Sequence, residues 1–71
     1  MSDTLQLQVN GEAKPCPAGL NLEQALAALG YEPRLVVVEL NGTIVSRQRW
    51  TSHTVVESDV LEVVTIVGGG S

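Results

Sequence analysis

The sequence predicts an α+β domain in which a mixed sheet wraps around one main helix. Leu5, Leu7 and Val9 alternate with Gln6 and Gln8, the period-two pattern of a half-buried strand. Leu22, Ala25, Leu26 and Leu29 fall at i, i+3, i+4 and i+7, one apolar stripe of a helix. Beyond that helix, two valine-rich segments, 35–40 and 60–67, read as further strands. A single amphipathic helix and a single sheet each have an apolar face that only the other can cover.

Taken in order, the first strand covers residues 5–9 and ends at Asn10-Gly11, a strong short-range hairpin signal. The return strand runs over 12–16, and Pro15, which lacks an N–H, assigns it to a sheet edge. Asn21 is a good N-cap, with Gln24 three residues later completing a capping box. The helix spans 22–29. Gly30 stands where a left-handed C-cap residue belongs, and Pro33 bars continuation. After the strand at 35–40, Asn41-Gly42 gives a second hairpin turn into a short strand at 43–45. Residues 46–50 read as a helical turn or loop, and 57–59 as a turn before the last strand. With right-handed connections, the economical arrangement pairs the first and last strands in parallel at the sheet centre. This is the ubiquitin-like β-grasp. The expected organisation is a β-grasp domain over 1–67 and a flexible glycine-rich tail over 68–71.

Composition narrows the chemistry. At 71 residues the chain holds one domain with a small core. The formal net charge is -4, and Lys14, Arg34, Arg47 and Arg49 are scattered rather than clustered. No nucleic acid is therefore expected as a partner, and a neutral or basic protein surface is the better match. No apolar run approaches the roughly 20 residues that span a bilayer, so no membrane is expected either. The start of the chain has no charged-then-apolar signal pattern. The single Cys16 forms no internal disulfide and, with only His53 beside it, offers no zinc set. A lone thiol suits a reducing compartment, so the expected localisation is cytoplasmic and the free protein a monomer.

The usual catalytic sets are missing. His53 has no evident partner in the sequence and reads as a surface or capping residue. Cys16, between two prolines, reads as a buried structural thiol. The acids are spread singly and read as a solvated surface. Trp50 is expected to pack over one end of the sheet, and Arg47 to pair with an acid or with a partner. Gly68, Gly69 and Gly70 do not follow a strand-to-helix phosphate-loop pattern.

The tail carries the functional signal. A dense Val/Ile strand stops at three glycines, whose backbone fits a channel closed to bulkier residues. Four residues at about 3.5 Å each reach roughly 14 Å, far enough to enter a partner's active site while the domain docks outside. Composition alone equally allows a Gly/Ser linker or a cloning scar, the latter for Ser71 in particular. In the last strand an outward Glu62 puts Val64 and Ile66 on its own face, with Leu61, Val63 and Val67 toward the helix. Glu39 likewise turns Val37 outward. Val37, Val64 and Ile66 are thus expected to form an apolar docking patch just before the tail.

With these residues in view, the chain resembles the ThiS family of sulfur carrier proteins of thiamine biosynthesis. The resemblance rests on the Leu-Gln-Val-Asn-Gly start and the Leu/Ala stripe of the helix. It rests also on Val-Glu-Leu-Asn-Gly-Thr-Ile-Val at 38–45, Arg-x-x-Trp at 47–50, Asp59-Val60, and the ending Val-Val-Thr-Ile-Val-Gly-Gly-Gly at 63–70. It implies that a ubiquitin-activating-like, ThiF-like adenylyltransferase uses ATP and magnesium to adenylate the carboxylate of Gly70. Sulfur then replaces the leaving group, and the thiocarboxylate supplies a ThiG-like thiazole synthase. It implies further that the chain binds no cofactor and is a cosubstrate, not an enzyme. Ser71 departs from the family's Gly-Gly ending, leaving Gly70 as the expected functional terminus once Ser71 is absent. A molybdopterin-type or other ubiquitin-like sulfur carrier shares these features. So does a ubiquitin-like interaction module without sulfur chemistry, for which the tail would be dispensable.

Overall fold

The alternating Leu/Gln segment and the segment after Asn10-Gly11 form an antiparallel hairpin, β1 (Thr4–Val9) and β2 (Glu12–Pro17). Asn10 and Gly11 both have positive φ, 52° and 85°, as a tight two-residue turn with the strands' twist requires. The computed structural model describes residues 3–66. The helix α1 is Leu22–Ala28, capped at both ends by the residues that the sequence nominates. Asn21 Oδ1 accepts the Gln24 N–H at 2.8 Å, and Gln24 Oε1 accepts the Asn21 N–H at 3.0 Å. At the other end Gly30, at φ 96°, lets its own N–H reach Ala27 O and the Tyr31 N–H reach Leu26 O. That bond pair is a Schellman cap.

The remaining strands are β3 (Val36–Leu40), β4 (Thr43–Ile44) and β5 (Val60–Thr65). Their ends are shorter than the valine runs predict. Leu35 belongs to a 3-10 turn over Pro33–Leu35, because Pro33 sets its first φ and supplies no ladder donor. A second 3-10 segment, Arg47–Ser52, occupies the stretch read as a helical turn or loop. Among the described residues the sheet order is β2-β1-β5-β3-β4. β1 and β5 run parallel, Gln8 opposite Val60 and Val9 opposite Leu61, and β2 lies at the edge. This is the expected mixed sheet with one main helix.

Alternation then sorts the side chains. Leu7, Val9, Val36, Val38, Leu61 and Val63 face α1 and are buried with Leu22, Ala25, Leu26 and Trp50. Trp50 donates its indole N–H to Val45 O at 3.0 Å, so its polar atom is satisfied within the core. Cys16 is buried in the same cluster, and burial pushes its thiol pKa up, as befits an inert structural thiol.

Two positions depart from the sequence reading. Asp59 is buried rather than solvated, and His53 has a partner, since its Nε2 lies 3.1 Å from Asp59 Oδ2. Asp59 also accepts the Val56 N–H at 3.0 Å and the Asn41 amide at 3.1 Å. A buried carboxylate is costly unless it is satisfied in this way. The Asn41 contact joins residues 18 apart along the chain, so no local pattern announces it.

The last strand is gripped from both sides by the turn asparagines. Asn10 Oδ1 accepts the Val63 N–H at 2.7 Å, and its Nδ2 donates to Val63 O at 3.1 Å. Its side chain thereby continues the parallel ladder after β1 has turned away. Asn41 Oδ1 accepts the Val60 N–H at 2.9 Å, and the Asn41 N–H donates to Val60 O at 2.7 Å. β5 is the strand that leads toward the glycines.

Candidate functional site

The face of the sheet away from α1 holds the residues of interest. β3 and β5 pair antiparallel, with Val37 opposite Val64 and Glu39 opposite Glu62. Directly opposed residues share a face, so these four project to one side while Val36, Val38, Leu61 and Val63 fill the core. Val37 is 40% exposed, Val64 64% and Ile66 49%. The Ile66 N–H donates to Leu35 O at 2.6 Å, the bond nearest the tail among the described residues. The structure therefore brings Val37, Val64 and Ile66 to one end of an exposed face. Gly68, Gly69 and Gly70, together with Val67, lie outside the described residues.

Two features of this face escape the sequence reading. Ile44 is 65% exposed and stands opposite Glu39, which adds it to the same side. An isoleucine in a two-residue strand gives no alternation to read, and only its exposure identifies it. Beside Val37 and Ile66, a cleft of about 260 Å³ is lined also by Arg34, Ile44, Arg47 and Trp50. Arg47 pairs with no acid among the described residues, which leaves a partner as the other expected counterpart. Its Nη2 donates to Pro33 O at 3.1 Å, and its guanidinium lies 5.7 Å from the centroid of the Trp50 ring, within cation–π range. Among the described residues Arg47 is thus held in place by neutral partners. Its Arg-x-x-Trp spacing was visible in the sequence, but the carbonyl that receives it comes from a distant turn.

The Asp59 cluster lies at the other end of β5, beside its first residue. Burial pushes the Asp59 carboxyl up. The Val56 N–H, the Asn41 amide and His53 together outweigh this and hold it below the usual carboxylate range. The cluster's contacts tie the residue before β5 to the β3–β4 turn and to Val56. Among the described residues no group of three or more His, Cys, Asp or Glu side chains is placed to hold a metal ion. No helix among them is long and apolar enough to cross a membrane.

Comparison with known proteins agrees with this geometry. A sequence model of the ThiS family matches residues 7–70. The chain is 39% identical over 66 residues to a thiazole synthase of Magnetococcus marinus, covering 93% of this chain and 20% of that one. The chain thus spans about a fifth of the length of the thiazole synthases that it matches. It is 34% identical to the sulfur carrier protein ThiS of Bacillus subtilis, covering 90% of this chain and 98% of that protein. Among solved structures, the crystal structure of the thiamine biosynthesis protein ThiS from Geobacter metallireducens superposes with a TM-score of 0.70 at 35% identity. That match covers 93% of this chain and all of the other.

Proposed function

The chain belongs to the ThiS family, and we propose that it is a sulfur carrier of thiamine biosynthesis whose working group is the carboxylate of Gly70. The observation that supports this most directly is the exposed Val37, Val64 and Ile66 face at the end of the strand that leads to the glycines. Such a face on a small domain is suited to seat a protein partner. A ThiF-like adenylyltransferase supplies ATP and magnesium. A Gly70 carboxylate oxygen attacks the α-phosphorus, and pyrophosphate leaves. A sulfide-level donor then attacks the acyl carbon, a C–S bond forms, and AMP departs with the C–O pair. The thiocarboxylate that remains is a stronger nucleophile than the carboxylate. A ThiG-like thiazole synthase receives the sulfur, and the likeness to thiazole synthase chains that include a matching segment favours that acceptor.

The domain's own part is binding and delivery. It docks on its apolar sheet face and presents a backbone with no side chain near the reacting carbon. A peptide bond from Gly70 to Ser71 occupies the carboxylate that adenylation needs, so the working carrier ends at Gly70. The test incubates chains ending at Gly70 and at Ser71 with adenylyltransferase, MgATP and a sulfide donor, then measures intact mass. Only the chain ending at Gly70 should gain the mass difference between sulfur and oxygen. Equal conversion with Ser71 still attached would sink the assignment.

A further inference from the structure

The outer face is ordered by charge along its strands. At one end Glu39 and Glu62 stand directly opposite each other, and neither makes an ion pair among the described residues. Like charges so placed destabilise a sheet slightly. Two residues along come Val37 and Val64, and beyond them Ile66 with Arg34 and Arg47 in the cleft. Among the described residues Arg34 forms an ion pair with Glu32, at 3.7 Å with both side chains more than half exposed, a pair that compensates its charge little. Of the other two cations, Lys14 sits on the far edge beside Glu12, and Arg49 lines a separate cleft with Leu40, Val45 and His53. The face thus runs from two carboxylates, through an apolar centre, to a cleft at the Ile66 end that Arg34 and Arg47 help to line. Four residues at roughly 3.3 Å each, about 13 Å of chain, separate Glu62 from Ile66.

We propose that this polarity orients the docked thiazole synthase, whose contact surface presents a basic group to Glu39 and Glu62 and an acidic group to Arg34 and Arg47. The inference rests on the carrier reading above and specifies how that same face is recognised. An apolar patch alone allows a partner to sit in either direction. Charge complementarity penalises the wrong one and speeds encounter in the right one. Only one direction turns the C-terminal end of β5 toward the acceptor's channel. A second copy of the chain, turned about a two-fold axis, would also match the charges. The apolar centre of Val37, Ile44, Val64 and Ile66 is small, however, against the roughly 800 Å² per partner of a standard interface.

The test cancels the poles. Association of the carrier with purified thiazole synthase is followed by stopped flow at low salt and near 1 M salt, for Arg34→Glu, Glu62→Arg and the double variant. Each single reversal should slow low-salt association about tenfold. The double variant keeps the net charge of the parent and cancels both poles, so it should remain as slow as the singles. All rates should converge at 1 M salt, where screening acts within about 3 Å. A double variant that associates at the parent rate overturns the proposal, since net charge would then suffice. Unchanged single variants overturn it too, as does a parent dimer in sedimentation that the double variant dissolves. If a reversal prevents folding, Arg34→Gln and Glu62→Gln are read instead, and rates equal to the parent's overturn it. Val64→Asp separates the two levels. If it abolishes binding while the charge reversals do nothing, the apolar docking face stands and the polarity falls. If it too does nothing, both fall.

Discussion

Replacing Asp59 with alanine should cost this domain more than any other single surface-turn substitution. The change removes the acceptor of the Val56 N–H, of the Asn41 amide and of His53, all within 3.0–3.1 Å. The side chain they converge on is only 7% exposed. A buried donor left unmatched costs about 1–3 kcal/mol. The His53 ring is one-third exposed and Asn41 is exposed, so both recover water, and the Val56 N–H carries the loss, about 1–3 kcal/mol. A domain of this size has a total stability of about 4–10 kcal/mol. Each 1 kcal/mol shifts its midpoint by about 4–8 °C, so Asp59→Ala should melt at least about 4 °C lower. Asp59→Asn keeps one carbonyl acceptor and should lose about half as much. Urea and thermal unfolding followed by Trp50 fluorescence measure both. The contacts are shared, so Asn41→Ala should cost less in the Asp59→Ala background than in the parent. A fall of less than about 4 °C for Asp59→Ala, or strict additivity with Asn41→Ala, would show that the cluster does not hold the start of β5.

The same carboxylate predicts a pH dependence. Its folded pKa is lowered from 3.8, so its stabilising contribution is full above that value and disappears as pH falls through the folded pKa. The stability gap between the parent and Asp59→Asn should therefore be constant near neutrality and close below pH 3.8, as acid titrations of unfolding would record. Asn10→Gly tolerates the φ of 52° but deletes both bonds to Val63, and should cost about 1–2 kcal/mol with faster amide exchange at Val63. Unaltered exchange there would mean the side-chain clasp adds nothing to the ladder. Val64→Asp, at a side chain 64% exposed, should leave the melting temperature within a few degrees while binding to both proposed partners falls. Unfolding by this change would place the strand's faces the wrong way round.

Local chemistry made much of this molecule readable in one dimension. Alternation in Leu5–Val9 and the spacing of Leu22, Ala25, Leu26 and Leu29 identify a strand and a helix because those periods are set by backbone geometry. Asn21, Gln24 and Gly30 mark the helix ends because capping is settled within a few residues. The outward placement of Glu62, Val64 and Val37 follows from the same alternation, since a strand cannot turn one side chain without turning the next. Where contact depends on which strands meet, the sequence is silent. Asp59 looks like one more solvated acid until the β3–β4 turn brings Asn41 to it, and His53 looks unpartnered until both reach the start of β5. Asn10 and Asn41 read as turn formers, and so they are. Their grip on Val63 and Val60 exists only because β5 lies between β1 and β3. Arg34 and Arg47, scattered along the chain, share a cleft only once the turn at Pro33 packs against the segment holding Trp50. The sequence by itself determined the elements, their caps and the faces they expose, because these depend on neighbours a few bonds away. The tertiary structure decided which polar groups are partnered and which charges share a surface, because those depend on distances that the chain sets only by folding.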